Sequence, residues 1–391
     1  MSGQAQRLYQ VCTRCVMDTS DPAITFDAQG VCNHCHAYAK RAAMEILPPD
    51  QAKLALDRIA GEIKQRGRGK DYDCIIGVSG GVDSTMVAYL VRQLGLRPLA
   101  IHLDNGWNAE LAVNNIEHCV KKLGIDLYTH VIDWEEFRDL QLSLIRASVA
   151  NIEVVTDHAI IAILFEMATK MNVQYIISGG NIVTEAVMPR SWMYDSRDLR
   201  HIVGIHKQFG TVRLKTYPRA SLMKYAYYVF GRRIRYLPIL NYVQYHKAQA
   251  KELIIKELGW IDYGSKHGES IFTKFFQDYI LPLKFGMDKR RPHLSTLILS
   301  GQVTRSDAVD QLKCEVESPE RLKEDLAFFL KKMRLSAAEF DDIIRSPVKT
   351  YRDYPSNGWL FAEVDSWAFK LIKRVVRPTS VARTARASVQ P

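Results

Sequence analysis

Cys74-Ile-Ile-Gly-Val-Ser-Gly-Gly-Val-Asp-Ser-Thr-Met-Val-Ala-Tyr-Leu90 decides the fold. A short apolar run ends in Ser79-Gly80-Gly81-Val82-Asp83-Ser84, and a helical pattern follows at once. A buried strand that turns through two glycines into a helix N-terminus is an anion site. Backbone N–H groups point outward, the helix dipole favours negative charge, and glycine lets a phosphate approach the backbone. The stretch lacks the Gly-Lys-Ser/Thr ending of a Walker A loop, so no lysine reaches a γ-phosphate. A cradle without that lysine suits a pyrophosphate that leaves as one unit. The chemistry implied is cleavage of ATP between its α- and β-phosphates.

Outward from this stretch the chain alternates. Strands are expected at Tyr72–Val78, Arg97–Leu103, Leu127–Ile132 and Gln174–Ser178, and helices at Ser84–Leu94, Ala109–Leu123, Glu135–Ala150 and Asp157–Met171. Such alternation predicts an α/β fold, a doubly wound parallel sheet with ligands at the carboxyl ends of its strands. Two more strand ends carry polar groups where a nucleotide would sit: Asp104-Asn105-Gly106-Trp107, and Gly179-Gly180-Asn181 leading to Glu185. The Ser79–Ser84 signature resembles that of the PP-loop ATP pyrophosphatases, the adenine nucleotide α-hydrolase-like fold of the synthetase domains of GMP, NAD and asparagine synthesis. That resemblance implies adenylation of a carbonyl oxygen, followed by displacement of AMP by a nucleophile.

The N-terminal 47 residues carry Cys12-x-x-Cys15, sixteen intervening residues, and Cys32-x-x-Cys35. Two such knuckles suit tetrahedral zinc, with Gly30 and the polar residues around Asp27 turning a hairpin between them. His34 and His36 flank the second knuckle, and either could replace a cysteine. Four thiolates would close the coordination sphere, so the metal is expected to be structural.

At 391 residues the chain has room for two or three domains. The reading divides it into a zinc-ribbon-like module at 1–47, a PP-loop domain at 48–210, a helical substrate or partner region at 211–345 and a basic tail at 346–391. Pro48-Pro49 ends the first, and a helix opened by Asp50 should bury Leu54, Ile59 and Ile63. Ser318-Pro319 and Ser336-x-x-Glu339 read as helix starts. The stretch Trp367–Arg377 is a short basic amphipathic segment, and the tail beyond Val376 reads as disordered.

No apolar run approaches a membrane span and Met1–Gln10 has no signal-peptide core, so a cytoplasmic protein is expected. The net charge of +10 is uneven: Leu199–Lys251 has no Asp or Glu, yet holds eleven Lys and Arg interleaved with tyrosines. That stretch reads equally as a face for an anionic partner or as a solvated face with tyrosines packed beneath. No cysteine outside the two knuckles sits on a glutaminase nucleophile elbow, and residue 2 is Ser rather than the Cys of the N-terminal-nucleophile type.

C-T-R-C-V-M-D-T-S-D-P, S-G-G-V-D-S, L-D-N-G-W, S-G-G-N-I-V-T-E and F-G-M-D-K-R-R-P-H-L-S-T-L-I-L-S-G-Q-V-T-R occur in that order. Over roughly Cys12 to Leu312 the chain resembles the N-acetyl sugar amidotransferase family of surface-polysaccharide (O-antigen, lipopolysaccharide) biosynthesis. The resemblance implies a ligase that uses ATP, Mg²⁺ and ammonia to turn the acetamido group of a UDP-linked N-acetyl sugar into an acetamidino group. It implies a triad-type glutaminase subunit and a cyclase-like barrel subunit as partners, with no nucleic acid expected, and it leaves a homo-oligomer open. Under it, Ser79, Gly80, Gly81, Val82, Asp83 and Ser84 would hold the pyrophosphate. Asp83 would orient Mg²⁺, and Asp104, Gly180 and Asn181 would border the nucleotide. Lys289 and Arg290 would act with Asp83 and Ser84 in catalysis, and Arg291 and His293 would meet substrate phosphate or carboxylate. Two other classes fit the same loop: a tRNA-modifying PP-loop enzyme (a thiolase or lysidine-type ligase) and a non-catalytic nucleotide-binding scaffold. Thiolation usually needs a persulfide cysteine near the nucleotide, and Cys74, Cys119 and Cys314 form no C-x-x-C pair.

Overall fold

The computed structural model describes residues 8–264 and 268–358. The tail beyond Val376 and the Trp367–Arg377 stretch lie outside the described residues. The chain forms two compact units, each assembled from separate segments. The sheet unit takes Leu47–Gly180, Tyr194–Ile271 and the chain from Lys349; the cysteine unit takes the chain up to Ile46, Asn181–Met193 and Phe272–Val348.

The sheet unit is built on five parallel strands: β1 (Cys74–Gly77), β2 (Pro98–Asp104), β3 (Asp126–Val131), β4 (Tyr175–Ser178) and β5 (Arg235–Pro238), in the order β3-β2-β1-β4-β5. The central strands are buried and mostly apolar, as suits strands covered on both faces. The first crossover helices are α3 (Val82–Gln93), α4 (Glu110–Leu123), α5 (Trp134–Arg146) and α6 (Val154–Lys170). With α2 (Pro49–Arg66), α8 (Leu199–Phe209), α9 (Leu222–Ala226) and α10 (Lys247–Leu258) they complete the unit. This is the expected doubly wound sheet. Its strand order reverses between β1 and β4, where such sheets hold their ligands.

Two expectations fail here. Leu54 is 67% exposed, because it stands about 140° round α2 from Ile59. The buried stripe is instead Ala52, Ala55, Leu56, Ile59, Ala60 and Ile63. The strand–helix alternation of the sequence ends at Gly210, yet β5 pairs with β4 from Tyr175–Arg235 to Ser178–Pro238. An edge position tolerates the proline, and four residues are too few for a periodic signal. The acid-free stretch proves mixed. Tyr217, Tyr225, Tyr228 and Tyr245 are buried, while Arg200, Lys207, Arg213, Lys215, Arg219 and Lys224 are exposed. Two buried acids on α5 hold the stretch between His206 and Tyr217. Glu136 accepts the N–H groups of Lys215, Thr216 and Tyr217, and Asp139 accepts those of Thr211 and Val212 and pairs with His206 at 2.9 Å.

The cysteine unit joins the N-terminal module, α1 (Asn33–Glu45) and the turn α7 (Ile182–Glu185) to the helical region: α12 (Arg290–Leu299), α13 (Arg305–Lys313), α14 (Pro319–Met333) and α15 (Ala337–Arg345). The short α11 (Ile271–Phe275) runs into a π-helical stretch, Phe276–Phe285. Ser318 and Ser336 cap their helices as expected, the second through a complete capping box with Glu339. Among the described residues no helix is long and apolar enough to cross a membrane.

Candidate active site and cysteine cluster

The Ser79–Ser84 loop stands at the carboxyl end of β1. Gly80 has φ +82°, and a Cβ there would fall 2.6 Å from the carbonyl oxygen of Ala112, so position 80 has no room for another residue. Ser84 Oγ accepts the Ser79 N–H at 3.3 Å and donates to the Gly81 carbonyl at 3.1 Å. That direction leaves the Ser79 hydroxyl to donate to Ser84, 3.2 Å away, and the Ser79 oxygen to accept the Gly81 N–H at 3.3 Å. The two serines thus tie the loop into a ring. Gly81 is the N-cap of α3 and brings no capping side chain to the first-turn N–H groups, and a Cβ on Gly81 would lie 3.6 Å from Glu269 Oε1. Asp83 stands in that first turn.

β4 delivers Gly179 against this helix start: a Cβ on Gly179 would lie 3.1 Å from the carbonyl carbon of Asp83. The Gly180 N–H bonds Ser178 Oγ at 3.0 Å, and the Tyr236 hydroxyl lies 3.0 Å from the same oxygen. At the end of β2, Asp104 accepts the Gly106 N–H at 2.9 Å and the Asn108 amide at 3.1 Å. His102 Nδ1 faces the Val78 carbonyl at 3.0 Å and must donate to it. Nε2 is therefore the acceptor for Asn108, also at 3.0 Å. The sequence reading missed a second set of neighbours. Tyr245 donates to Asp83 Oδ1, Trp260 Nε1 donates to the Gly80 carbonyl at 2.7 Å, and the Tyr263 hydroxyl, which also bonds Glu269, lies 3.3 Å from the same oxygen. Their partners in the loop lie more than 160 residues earlier, and no local pattern marks them.

In the cysteine unit, Cys12, Cys15, Cys32 and Cys35 are fully buried with all four sulfurs within 4.8 Å of one another. Three of the separations are 3.7, 3.7 and 3.6 Å. A tetrahedron with Zn–S bonds of about 2.3 Å has edges of about 3.8 Å, so the cluster has the size zinc requires. The hairpin turns as expected: the Gly30 N–H bonds Asp27, and Phe26 bridges Cys32. Cys12 Sγ accepts three backbone N–H groups, from Arg14, Cys15 and Cys32, and Cys15 Sγ accepts that of Met17. Hydrogen bonds from Cys32 and Cys35 bring Cys15 down to about 2, while Cys15 pushes Cys32 up to about 12. A central cation is what would let all four ionise together. His34 pairs with Asp21 at 2.7 Å and His36 with Asp27 at 2.8 Å, so the expected histidine substitutes are engaged elsewhere.

The basic run of α12 also belongs to this unit. Arg290 chelates Asp288 and reaches the carbonyls of Gln311, Leu312 and Cys314 at the end of α13. Arg291 pairs with Asp18 at 3.0 Å and holds the Val16 carbonyl of the first knuckle at 2.9 Å. His293 Nδ1 lies 3.3 Å from the Thr184 carbonyl, and Asn181 caps α7 by accepting the Thr184 N–H at 2.9 Å. Lys289 differs: no salt bridge is formed by it among the described residues, and its ammonium lies 3.7 Å from Met188 Sδ. Of the other cysteines, Cys74 and Cys119 are buried, and burial raises both thiols, Cys119 to about 12, so neither is a ready nucleophile.

The chain matches the NAD synthase family over residues 55–213 and the family described as LPS biosynthesis protein WbpG-like, C-terminal domain, over residues 269–366. An 81-residue segment is 40% identical to GMP synthase [glutamine-hydrolyzing] of Pyrobaculum aerophilum. That segment covers 20% of this chain and only 15% of the length of the relative. Among solved structures, the chain is similar to an NMN synthetase from Francisella tularensis at 16% identity and a TM-score of 0.36, covering 74% of this chain and 98% of that one. It is also similar to an NH3-dependent NAD synthetase from Campylobacter jejuni at 13% identity and a TM-score of 0.31, covering 76% and 98%.

Proposed function

We propose that this chain, an N-acetyl sugar amidotransferase-like member of the PP-loop family, is an ATP-dependent synthetase that converts the acetamido group of a nucleotide-linked sugar into an acetamidino group. The observation that carries the reading is the uncapped N-terminus of α3 behind the Ser79–Ser84 ring. It offers backbone donors to a pyrophosphate and has no lysine to follow a γ-phosphate. The WbpG-like match in lipopolysaccharide biosynthesis directs the acceptor towards a sugar, and the other matches, to the NAD synthase family and to a GMP synthase, support a synthetase.

The amide oxygen of the sugar attacks the α-phosphorus of ATP, and pyrophosphate leaves as the P–O bond to it breaks. Ammonia then adds to the activated carbon. AMP departs with the former amide oxygen, and loss of one proton leaves the amidinium cation. An amide oxygen is a poor leaving group, and transfer to AMP makes its loss favourable. Ser79, Gly81 and the first turn of α3 hold the leaving pyrophosphate and stabilise its charge. Asp83 would hold Mg²⁺, which neutralises charge on the departing phosphates. Asp104 and Gly180 flank the nucleotide. The four cysteines would hold a structural zinc. Ammonia comes from a separate glutaminase through a barrel subunit, in keeping with the buried, protonated thiols of Cys74 and Cys119.

Incubation of UDP-linked N-acetyl sugars with ATP, Mg²⁺ and ammonium salt tests the reading. The expected result is AMP and pyrophosphate, with a sugar product that exchanges one oxygen for one nitrogen and gains positive charge. Asp83→Asn should lower turnover on the order of a hundred-fold or more at unchanged thermal midpoint. Substrate-dependent formation of ADP would overturn it.

A further inference from the structure

Trp260 and Tyr263 converge on one atom, the Gly80 carbonyl oxygen. The peptide that carries this carbonyl also carries the Gly81 N–H. A trans peptide is planar, so its carbonyl and N–H point in opposite directions. Holding the oxygen towards Trp260 and Tyr263 therefore turns the Gly81 N–H to the other side, where it meets Ser79 Oγ at a long 3.3 Å. Glycine resists such rotation less than any other residue, and two adjacent glycines make this the softest peptide of the loop. Left free, it would sample orientations in which the N–H points away from an incoming phosphate.

The two aromatic residues are themselves anchored. Between them lies Ile261, whose N–H and carbonyl both bond the side chain of Asn115 at 2.8 Å. Asn115 is buried on α4, the helix whose Ala112 carbonyl closes the space beside Gly80. One helix thus walls the loop and fastens the segment that orients it. Trp260 is 3% exposed, so water does not compete for its N–H.

We infer that Trp260 and Tyr263, clipped to α4 by Asn115, are positioning residues that preset the Gly81 N–H for pyrophosphate. This rests on the reading of the loop as a pyrophosphate cradle. Neither residue touches the anion. Their effect is to remove in advance the ordering cost that binding would otherwise meet.

The test is a titration of Mg-pyrophosphate into the full chain labelled with ¹⁵N-glycine, followed at the Gly81 amide, with the thermal midpoint recorded for each variant. The wild type should show a saturable shift of Gly81. Trp260→Phe keeps an aromatic ring and loses the N–H, and should need about ten-fold more pyrophosphate, the worth of one neutral hydrogen bond. Tyr263→Phe, with the longer bond, should need a few-fold more; because the Tyr263 hydroxyl also bonds Glu269, Glu269→Gln is titrated beside it and should not weaken pyrophosphate binding, and the pair carries the test if Trp260→Phe does not fold. The ATP KM should rise in step, with kcat changing less. Variants that titrate like the wild type would overturn the inference while leaving the cradle standing. A wild-type Gly81 that ignores pyrophosphate would sink the cradle reading, and the inference with it.

Discussion

The Ser79–Ser84 loop and the Cys12–Cys15 knuckle are both tight turns that aim backbone N–H groups at one spot, yet they end in opposite states. In the knuckle the donors of Arg14, Cys15, Met17 and Cys32 all find sulfur within 3.4 Å. In the loop the two serines satisfy each other, and the first turn of α3 has no capping side chain. The same backbone geometry closes on itself where its acceptors are supplied by the chain and, on the proposed reading of the loop, makes a binding site where they are left to a ligand. The arginines follow the same division. Arg291 and Arg305 are used on knuckle carbonyls, of Val16 in one case and of Cys12 and Cys15 in the other.

The contrast breaks most visibly at sulfur. Cys12→Ser or Cys32→Ser should remove zinc and most of the soluble protein, because metal binding and folding of so small a module are coupled and worth several kcal/mol or more. Metal analysis of the wild type well below one zinc per chain, or a four-serine variant of unchanged stability and activity, would refute the closed half of the comparison. In the loop the expected change is functional first. Gly80→Ala forces a Cβ to 2.6 Å from Ala112 and a side chain into φ +82°. It should cost on the order of 1–3 kcal/mol in urea unfolding and abolish pyrophosphate binding. An alanine variant that binds pyrophosphate normally would show that the loop geometry does not matter.

The smallest effect concerns Asp139, which completes the comparison as an anion already bound by backbone N–H groups. Burial alone would raise its carboxyl, but the N–H groups of Val212 and Thr211, the Thr211 hydroxyl and His206 carry it below the usual carboxylate value. A depressed folded value means that the stabilisation is present above the ordinary carboxylate pKa of about 4. It is lost as pH falls through the folded value. Asp139→Asn should cost on the order of 1 kcal/mol at neutral pH, and the difference from wild type should shrink in urea melts taken below pH about 4. A difference that stays constant with pH would mean that the carboxylate charge contributes nothing.

What could be read from the sequence was local. The β1–loop–α3 stretch and both cysteine knuckles are written within a few residues of themselves, and so are the caps at Ser318 and Ser336. What escaped was non-local. β5 follows a basic stretch with no alternation, and its identity as a strand comes from pairing with β4. Tyr245, Trp260 and Tyr263 gain their meaning from partners far earlier in the chain. The cations at 290 and 291 were visible as charge, but not their attachment to Asp288, Asp18 and helix-end carbonyls.

The division of the chain into interleaved segments bears on how the protein is made. The cysteine module is synthesised before the sheet strands, but the hydrophobic cluster around its sulfurs is completed by Val187 and Leu299. The Val16 side of the module waits for Leu294 and Ala308. Until residues 294–308 have been synthesised, the knuckles have only their own turns, and zinc if the proposed site is filled, to hold them. Such long-range closure slows folding and exposes reactive thiols meanwhile. Zinc supply during translation should therefore set the yield of soluble protein more strongly than zinc added after purification. Neither compact unit can be produced by a single truncation, because each is entered by the chain more than once.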